Sequence, residues 1–357
     1  MSFFRTIRQK ISSGERLNFE DGVQLFKSTD ILAIGGMAHE VRERMHGRRA
    51  FYAVNLHINP TNICTTRCAF CAFSRDASAP DAYALTLEEV EQTVREALDR
   101  HSVSEVHIVG GHNPLLGLEY YLEMMRRIRR ISKEIFIKAF SAPEIDFMAQ
   151  QSGLSWAEVL RRLKEAGVDG MPGGGAEIFD PGVRAKICPK KISGEAWLGI
   201  HRAAHGAGIK TNATILYGHI ENDEQRVAHL LKLRELQDDT QGFVAFVPLA
   251  YNPKHNELKG VQATTGFLDL KMLSISRLLL DNIPHIKAHG SATDLKFVQA
   301  ALSFGADDMG GTNFHERVMR EAGSQAPKRL SSGELIRCIK DAGFEPCRVN
   351  SSYSINA

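Results

Sequence analysis

The stretch Tyr52-Ala-Val-Asn-Leu-His-Ile-Asn-Pro-Thr-Asn-Ile-Cys64-Thr-Thr-Arg-Cys68-Ala-Phe70-Cys71-Ala-Phe-Ser-Arg75 decides how the rest of the chain is read. Its first seven residues alternate, Val54, Leu56 and Ile58 against Asn55 and His57, which predicts a strand. Three cysteines then follow with three and two residues between them. Three thiolates on one short loop can ligate three irons of a cubane iron–sulfur cluster. The loop offers no fourth ligand, so one iron would stay open to a group that is not protein. A zinc site and three buried thiols are the competing readings. Zinc knuckles usually arrive as two Cys or Cys/His pairs, and no second pair follows here. Disulfides belong to oxidising compartments.

Outward from this loop, the bulk numbers set limits. The chain has 357 residues, 43% of them hydrophobic and 24% charged, which is ordinary globular composition. That length suits an α/β barrel with extensions. The formal net charge of +2 gives no electrostatic reason to expect nucleic acid. Nothing at the N-terminus reads as a signal peptide, and no run approaches the ~18 apolar residues of a membrane helix. A cytoplasmic location is expected. Cys188, Cys338 and Cys347 lack metal spacing and read as ordinary reduced thiols.

Residues 1–50 read as a helical cap, with breaks at Ser12-Ser-Gly14 and Gly35-Gly36. From 51 to 325 strands and helices alternate. Strands are expected near 52–58, 105–110, 134–140, 168–171, 210–216, 243–249, 285–289 and 306–309. Helix starts carry capping signals at Thr86-Leu-Glu-Glu89, Ser155-Trp-Ala-Glu158 and Ser193. Alternating βα units predict parallel strands with crossover helices, hence a (β/α)8 TIM-like barrel. Residues 326–357 read as a polar linker, a helix capped at Ser331, and a polar tail from Val349, a short C-terminal helical extension.

In such a barrel the active site lies at the C-terminal ends of the strands. Gly110 and Gly111 follow the second strand, in Gly-Gly-His-Asn-Pro114. They read either as a plain turn or as backbone brought close to a ligand. Pro172-Gly-Gly-Gly-Ala-Glu177 follows the fourth. Glu177 reads as a carboxylate for a ribose or an ammonium, or as a helix-start acid. Arg184 reads as a partner for a ligand carboxylate or as a surface arginine. After the fifth strand, Asn212 and Thr214 share a face, and Tyr217 and His219 run into the loop. His219 is a candidate proton carrier or carboxylate donor. Asn55 and His57 line the barrel interior or hydrogen-bond within the core; the pattern leaves this open.

Cys-x3-Cys-x2-Cys with an aromatic before the third cysteine is the signature of the radical SAM enzymes, and the chain resembles that family. Asn59 to Phe73, Gly110-Gly-His-Asn-Pro114, Pro172 to Ile178, Ile187-Cys-Pro-Lys190 and Tyr217-Gly-His-Ile-Glu221 resemble one branch of it. That branch holds aminodeoxyfutalosine synthase, dehypoxanthine futalosine cyclase and the subunit that makes a methanogen deazaflavin. Lys210-Thr-Asn-Ala-Thr214, Gln241 to Tyr251 and Gly305-Ala-Asp-Asp308 are most similar to the synthase. The resemblance implies a [4Fe–4S] cluster on Cys64, Cys68 and Cys71. It implies S-adenosylmethionine (SAM) on the open iron as co-substrate, with Phe70, Gly110, Gly111, Glu177 and Arg184 around it. It further implies 3-[(1-carboxyvinyl)oxy]benzoate as the acceptor, near Asn212, Tyr217 and His219. The expected product is 6-amino-6-deoxyfutalosine, in menaquinone biosynthesis, with flavodoxin or ferredoxin as electron donor. The chain departs from the synthase pattern at Gly290 to Leu295 and Gly310 to His315, which bears on the substrate pocket.

Overall fold

The computed structural model describes residues 3–289, 294–324 and 330–354. The departure at 290–293 and the linker residues 326–329 lie outside them. The expected first strand is present but broken at Val54 into β1 (Arg49–Ala53) and β2 (Asn55–Ile58). There follow β3 (Glu105–Ile108), β4 (Phe136–Ala139), β5 (Gly170–Met171), β6 (Lys210–Tyr217), β7 (Phe243–Ala250), β8 (His285–Ile286), β9 (Asp308–Gly311) and β10 (Glu345–Val349).

Strands β2 to β8 form one parallel seven-stranded sheet in sequence order, curled into a half-barrel. Seven of the eight expected strands are thus in one TIM-like sheet, and the eighth is placed differently. β9 instead joins β1 and β10 in a three-stranded parallel sheet, ordered β10-β1-β9. Asp308-Met-Gly-Gly311 explains the interruption. Glycine is a weak strand former, and the β1–β9 register shifts between Phe51 and Ala53. A Cβ on Gly311 would stand 2.3 Å from Asn55 Oδ1, so the strand crosses where only glycine fits. Single parallel bridges, Lys287 to Asp308 and Leu56 to Phe314, tie this segment to the two edges of the half-barrel.

Most of the outer helices begin where the sequence signals them. Thr86 and Glu89 exchange the two bonds of a capping box, as do Ser331 and Glu334. Helix Ala142–Ser152, absent from the sequence reading, has the same device in Ser141 and Glu144. Pro143 in its first turn, and Glu144 turned inward among buried neighbours, mask the helical pattern. Helices Phe19–Lys27 and Ile31–His46 pack on the outer helices Asp223–Thr240 and Gly266–Leu279. One continuous core includes Ile7, Phe26 and Met37 from the first fifty residues and Leu335 and Ile339 from the C-terminal helix.

Just ahead of the expected tail from Val349 the chain adds a strand, and the start of the tail itself is packed. β10 pairs with β1 from Arg49–Glu345 to Ala53–Val349. Ser351 is buried and Tyr353 lies parallel to His285 at 3.5 Å between ring centroids. Beside it Asp307 takes Nδ1 of His285 at 2.5 Å, the Ile286 N–H at 2.8 Å and the Arg277 guanidinium. Arg277, His285 and Asp307 are all buried, and these bonds lock the barrel base.

Candidate active site

The cysteine loop hangs from the C-terminal end of β2 and is held from several sides. Asn59 donates to the Val109 carbonyl (2.8 Å), Thr61 to that of Tyr83 (2.7 Å) and Asn62 to that of Asp81 (2.9 Å). The Cys64 N–H donates to Arg75 (3.0 Å), and the Ala69 N–H to Ile187 (2.9 Å). A loop tied at this many points presents its thiols in a fixed arrangement, as a metal site requires. Cys64, Cys68 and Cys71 all line one cavity of ≈ 310 Å³ inside the barrel mouth. Burial pushes the Cys68 thiol up to about 12, so iron must displace a proton there when it binds.

The glycines do two different jobs. A Cβ on Gly111 would stand 2.1 Å from the Ile63 carbonyl oxygen and 3.0 Å from Cys64 Cβ. Gly111 thus lets the β3 end pack onto the cysteine loop itself. A Cβ on Gly173 would stand 2.5 Å from the Asn212 carbonyl oxygen, which brings the glycine loop against β6. Both glycines also form part of the cavity wall.

Glu177 lines the cavity with a left-handed φ of +46°, a conformation that concentrates at functional sites. Its carboxylate takes Lys191 Nζ at 2.6 Å, and that ammonium lies 5.1 Å from the centre of the Phe70 ring. Burial works against the Lys191 charge, but Cys68 and Glu177 hold its pKa above the usual lysine range. Lys191, one residue past the quoted Ile187-Cys-Pro-Lys190, was missed because the second of two adjacent lysines in a loop carries no pattern. Glu144 was missed with its helix. It accepts from the Gly110 N–H at 2.9 Å and from Ser141, and burial still lifts its carboxyl to about 7.

Three sequence candidates sit elsewhere. Tyr217 is buried with its hydroxyl donating to Asp269 at 2.8 Å. The His219 side chain has no exposed surface, with Nε2 on the Leu216 carbonyl (3.1 Å) and Nδ1 accepting from the Ile220 N–H (2.7 Å). It clamps the turn after β6. Arg184 is buried and gives its guanidinium to the carbonyls of Gly175, Ala176, Ile178 and Ile192. It braces the glycine loop from behind. All three readings as ligand-facing groups are corrected: none of these residues lines the cavity, and the Tyr217 hydroxyl, the His219 ring and both Arg184 Nη groups bond within this chain.

Asn212 and Thr214 line the cavity, as do Asn55 and His57, and these last two do both things that the β2 pattern allowed, since they also bond to each other and to Asn313 at 3.1 Å. Below them stand two lysines, Lys138 on Glu105 (2.8 Å) and Lys287 on Asp308 (3.1 Å). His107 and His289 complete this deeper wall. The cavity therefore has soft sulfur donors at the mouth, bare backbone and a lysine–glutamate pair at mid-height, and histidines and ammonium groups at depth. Three thiols facing one open volume, beside glycine backbone, fit a cluster with an exchangeable small-molecule ligand.

Comparison with known proteins agrees with this chemistry. The Radical SAM superfamily model matches residues 58–233, and the CofH/MqnC C-terminal region matches 240–357. An aminodeoxyfutalosine synthase of Thermus thermophilus is 42% identical over 97% of this chain and 94% of its own. A 5-amino-6-(D-ribitylamino)uracil–L-tyrosine 4-hydroxyphenyl transferase of Methanopyrus kandleri is 39% identical over 88% and 87%. Among solved structures, the FeFe-hydrogenase maturase HydG of Carboxydothermus hydrogenoformans superposes with a TM-score of 0.79 at 19% identity, covering 98% of this chain and 80% of its own. That likeness concerns the fold. The chain belongs to the radical SAM superfamily, in the branch that carries the CofH/MqnC C-terminal region.

Proposed function

We propose that this chain is an aminodeoxyfutalosine synthase. The reaction breaks the C5′–S bond of SAM, releases methionine, joins the adenosyl group to 3-[(1-carboxyvinyl)oxy]benzoate with loss of the enolpyruvyl carboxyl as carbon dioxide, and gives 6-amino-6-deoxyfutalosine. The observation that carries this reading is the near full-length relationship to an enzyme of that name, joined to a cavity with the right donors. When bound, the cluster and SAM supply a 5′-deoxyadenosyl radical.

The chain's own residues bind, orient and exclude water. Cys64, Cys68 and Cys71 would hold the cluster. Gly110, Gly111, Glu177 and Phe70 lie on the same wall and would receive SAM, with Lys191 holding the Glu177 side chain in place. Asn212 and Thr214 face the acceptor. Flavodoxin or ferredoxin would deliver the electron. The bridges through 308 and 314 would make the half-barrel work as a closed eight-stranded barrel, with 1–50 as cap, 51–325 as catalytic barrel and 326–357 as extension. No described helix is long and apolar enough to cross a membrane, and a cluster of this kind suits a reducing cytoplasm.

The test is anaerobic turnover of reconstituted enzyme with SAM, dithionite and the enolpyruvyl benzoate, read by mass spectrometry. The synthase gives an adenosyl adduct. Stoichiometric free 5′-deoxyadenosine without an adduct would overturn it in favour of a cyclase acting by hydrogen abstraction.

A further inference from the structure

The deep end of the cavity is built in layers. β2, β3 and β4 pair in register, so His57, His107 and Lys138 stand side by side on three adjacent strands. Two residues earlier on the same faces, Asn55 pairs with Glu105 and forms the next layer down. Residues two apart on a strand point the same way, so Glu105 lies directly beneath His107. Lys138 Nζ reaches down to Glu105 Oε1 at 2.8 Å and to Ser351 Oγ at 2.7 Å. Across the barrel, Lys287 Nζ lies 3.1 Å from Asp308 Oδ2. Both ammonium groups belong to the cavity wall, whereas Glu105 and Asp308 do not.

The two buried ion pairs are thus oriented alike, cation toward the cavity and anion behind it. Ion pairs buried only for stability have no advantage over apolar residues of similar volume, and two aimed the same way at one void ask for a functional cause. Lys138 has one N–H beyond those on Glu105 and Ser351, and Lys287 has two beyond Asp308. His107 Nε2 is buried with no hydrogen-bond partner, and its ring lies 4.6 Å from that of His57. Burial, and then Lys138, keep both rings neutral, so His107 Nε2 can donate without adding charge, while His57 lines the floor with its Nε2 3.1 Å from Asn313 Oδ1.

Resting on the synthase reading, we propose that this floor, Lys138, Lys287, His57 and His107, is the seat for the ring carboxylate of the aryl substrate. That carboxylate survives the reaction and suits a permanent charged anchor; the enolpyruvyl carboxyl leaves and does not. The C-terminal residues complete the seat as positioning groups. Ser351 accepts from Lys138, and Tyr353 donates to Asp308 Oδ2 at 2.6 Å with its ring 5.8 Å from Lys287 Nζ.

The test compares 3-[(1-carboxyvinyl)oxy]benzoate with its ring carboxamide, by equilibrium dialysis against reconstituted, SAM-bound enzyme without reductant. Wild-type enzyme should bind the acid at least tenfold tighter than the amide. The paired variant Lys287→Met with Asp308→Asn, which leaves no lone buried charge, should shrink that ratio. Tyr353→Phe should lower the ratio without weakening the amide, which a general loosening of the fold would not do. Equal binding of acid and amide by wild-type enzyme overturns the proposal, and this arm needs no variant to fold. A ratio unchanged in both variants also overturns it. Failure to bind either compound strikes the synthase reading itself, and the seat with it.

Discussion

Gly111→Ala probes the claim that the cysteine loop is shaped by the strand end beside it. The added Cβ would meet the Ile63 carbonyl oxygen at 2.1 Å, the carbonyl carbon at 2.8 Å and Cys64 Cβ at 3.0 Å. These are backbone atoms and the first atom of a thiol side chain, so no rotamer change relieves the clash. Carbon and carbonyl oxygen sit at roughly 3.3 Å or more, so the loop must retreat by about 1 Å. It is tied here by Gly111 N–H to Thr61 O (2.9 Å), Thr65 N–H to His112 O (3.1 Å) and the Thr66–His112 bond (2.7 Å). Overpacking costs about 1–3 kcal/mol, and each hydrogen bond lost adds about 1 kcal/mol. With one to three of these bonds lost, the sum, about 2–6 kcal/mol, is a large part of a typical stability of about 5–15 kcal/mol. A 1 Å retreat also exceeds the ~0.2 Å tolerance of metal–ligand distances. Iron and sulfide content after anaerobic reconstitution, with thermal unfolding alongside, reads both effects. Gly174→Ala, whose Cβ would find only Ser141 Cβ at 3.5 Å, should load a full cluster. If Gly111→Ala loads iron as well as Gly174→Ala does, the packing argument is wrong.

Cys64→Ala, Cys68→Ala and Cys71→Ala should each abolish the cluster's visible absorbance and turnover, whereas Cys188→Ala, Cys338→Ala and Cys347→Ala should keep both; turnover in any of the first three refutes the site. His219→Ala should lower stability by about 1–3 kcal/mol and leave the product unchanged, since its ring serves a turn; loss of adduct with an unaltered melting temperature would restore it as a catalytic residue. Stability should fall on mild acidification. Burial holds His57 and His229 down to about 3, and His46 down to about 4. Between about pH 6.5 and 4 the unfolded chain therefore binds more protons than the folded one, and stability drops with falling pH by about 1.4 kcal/mol per unit for each such histidine. Urea midpoints that stay flat from pH 7 to 5 would contradict neutral burial of these rings.

The sequence made the cysteine loop legible because three ligands on eight residues form a local pattern that needs no tertiary structure to read. Strand order was legible for a similar reason, since βα alternation is periodic along the chain. The break at Val54 and the transfer of β9 to a second sheet were not, because they turn on a register shift against Gly310-Gly311 and on β10, whose Glu345-Pro-Cys-Arg-Val349 lacks a strand alternation. Tyr217, His219 and Arg184 misled because sequence shows that a polar residue is near a strand end but not where its polar atom is spent. Lys138 and Lys287 were invisible for the opposite reason. A lysine in Phe136-Ile-Lys-Ala139 reads as the solvent side of a half-exposed strand, and only the barrel turns that side inward.

Barrel geometry explains why the missed residues are the ones at depth. Loops at the strand ends can reach the mouth, so chemistry common to the family can be carried by short contiguous motifs there. A substrate long enough to pass below the mouth must be met by side chains within strands, spaced two apart and scattered over the chain: Asn55 and His57, His107, Lys138, Asn212 and Thr214. Each contributes one residue to a layer and leaves no motif. Exchanges in the cysteine loop should therefore remove every reaction of the enzyme at once. Exchanges in the buried layer should leave SAM cleavage possible and change what the adenosyl group is given to, so the partition between adduct and free 5′-deoxyadenosine separates the two sets.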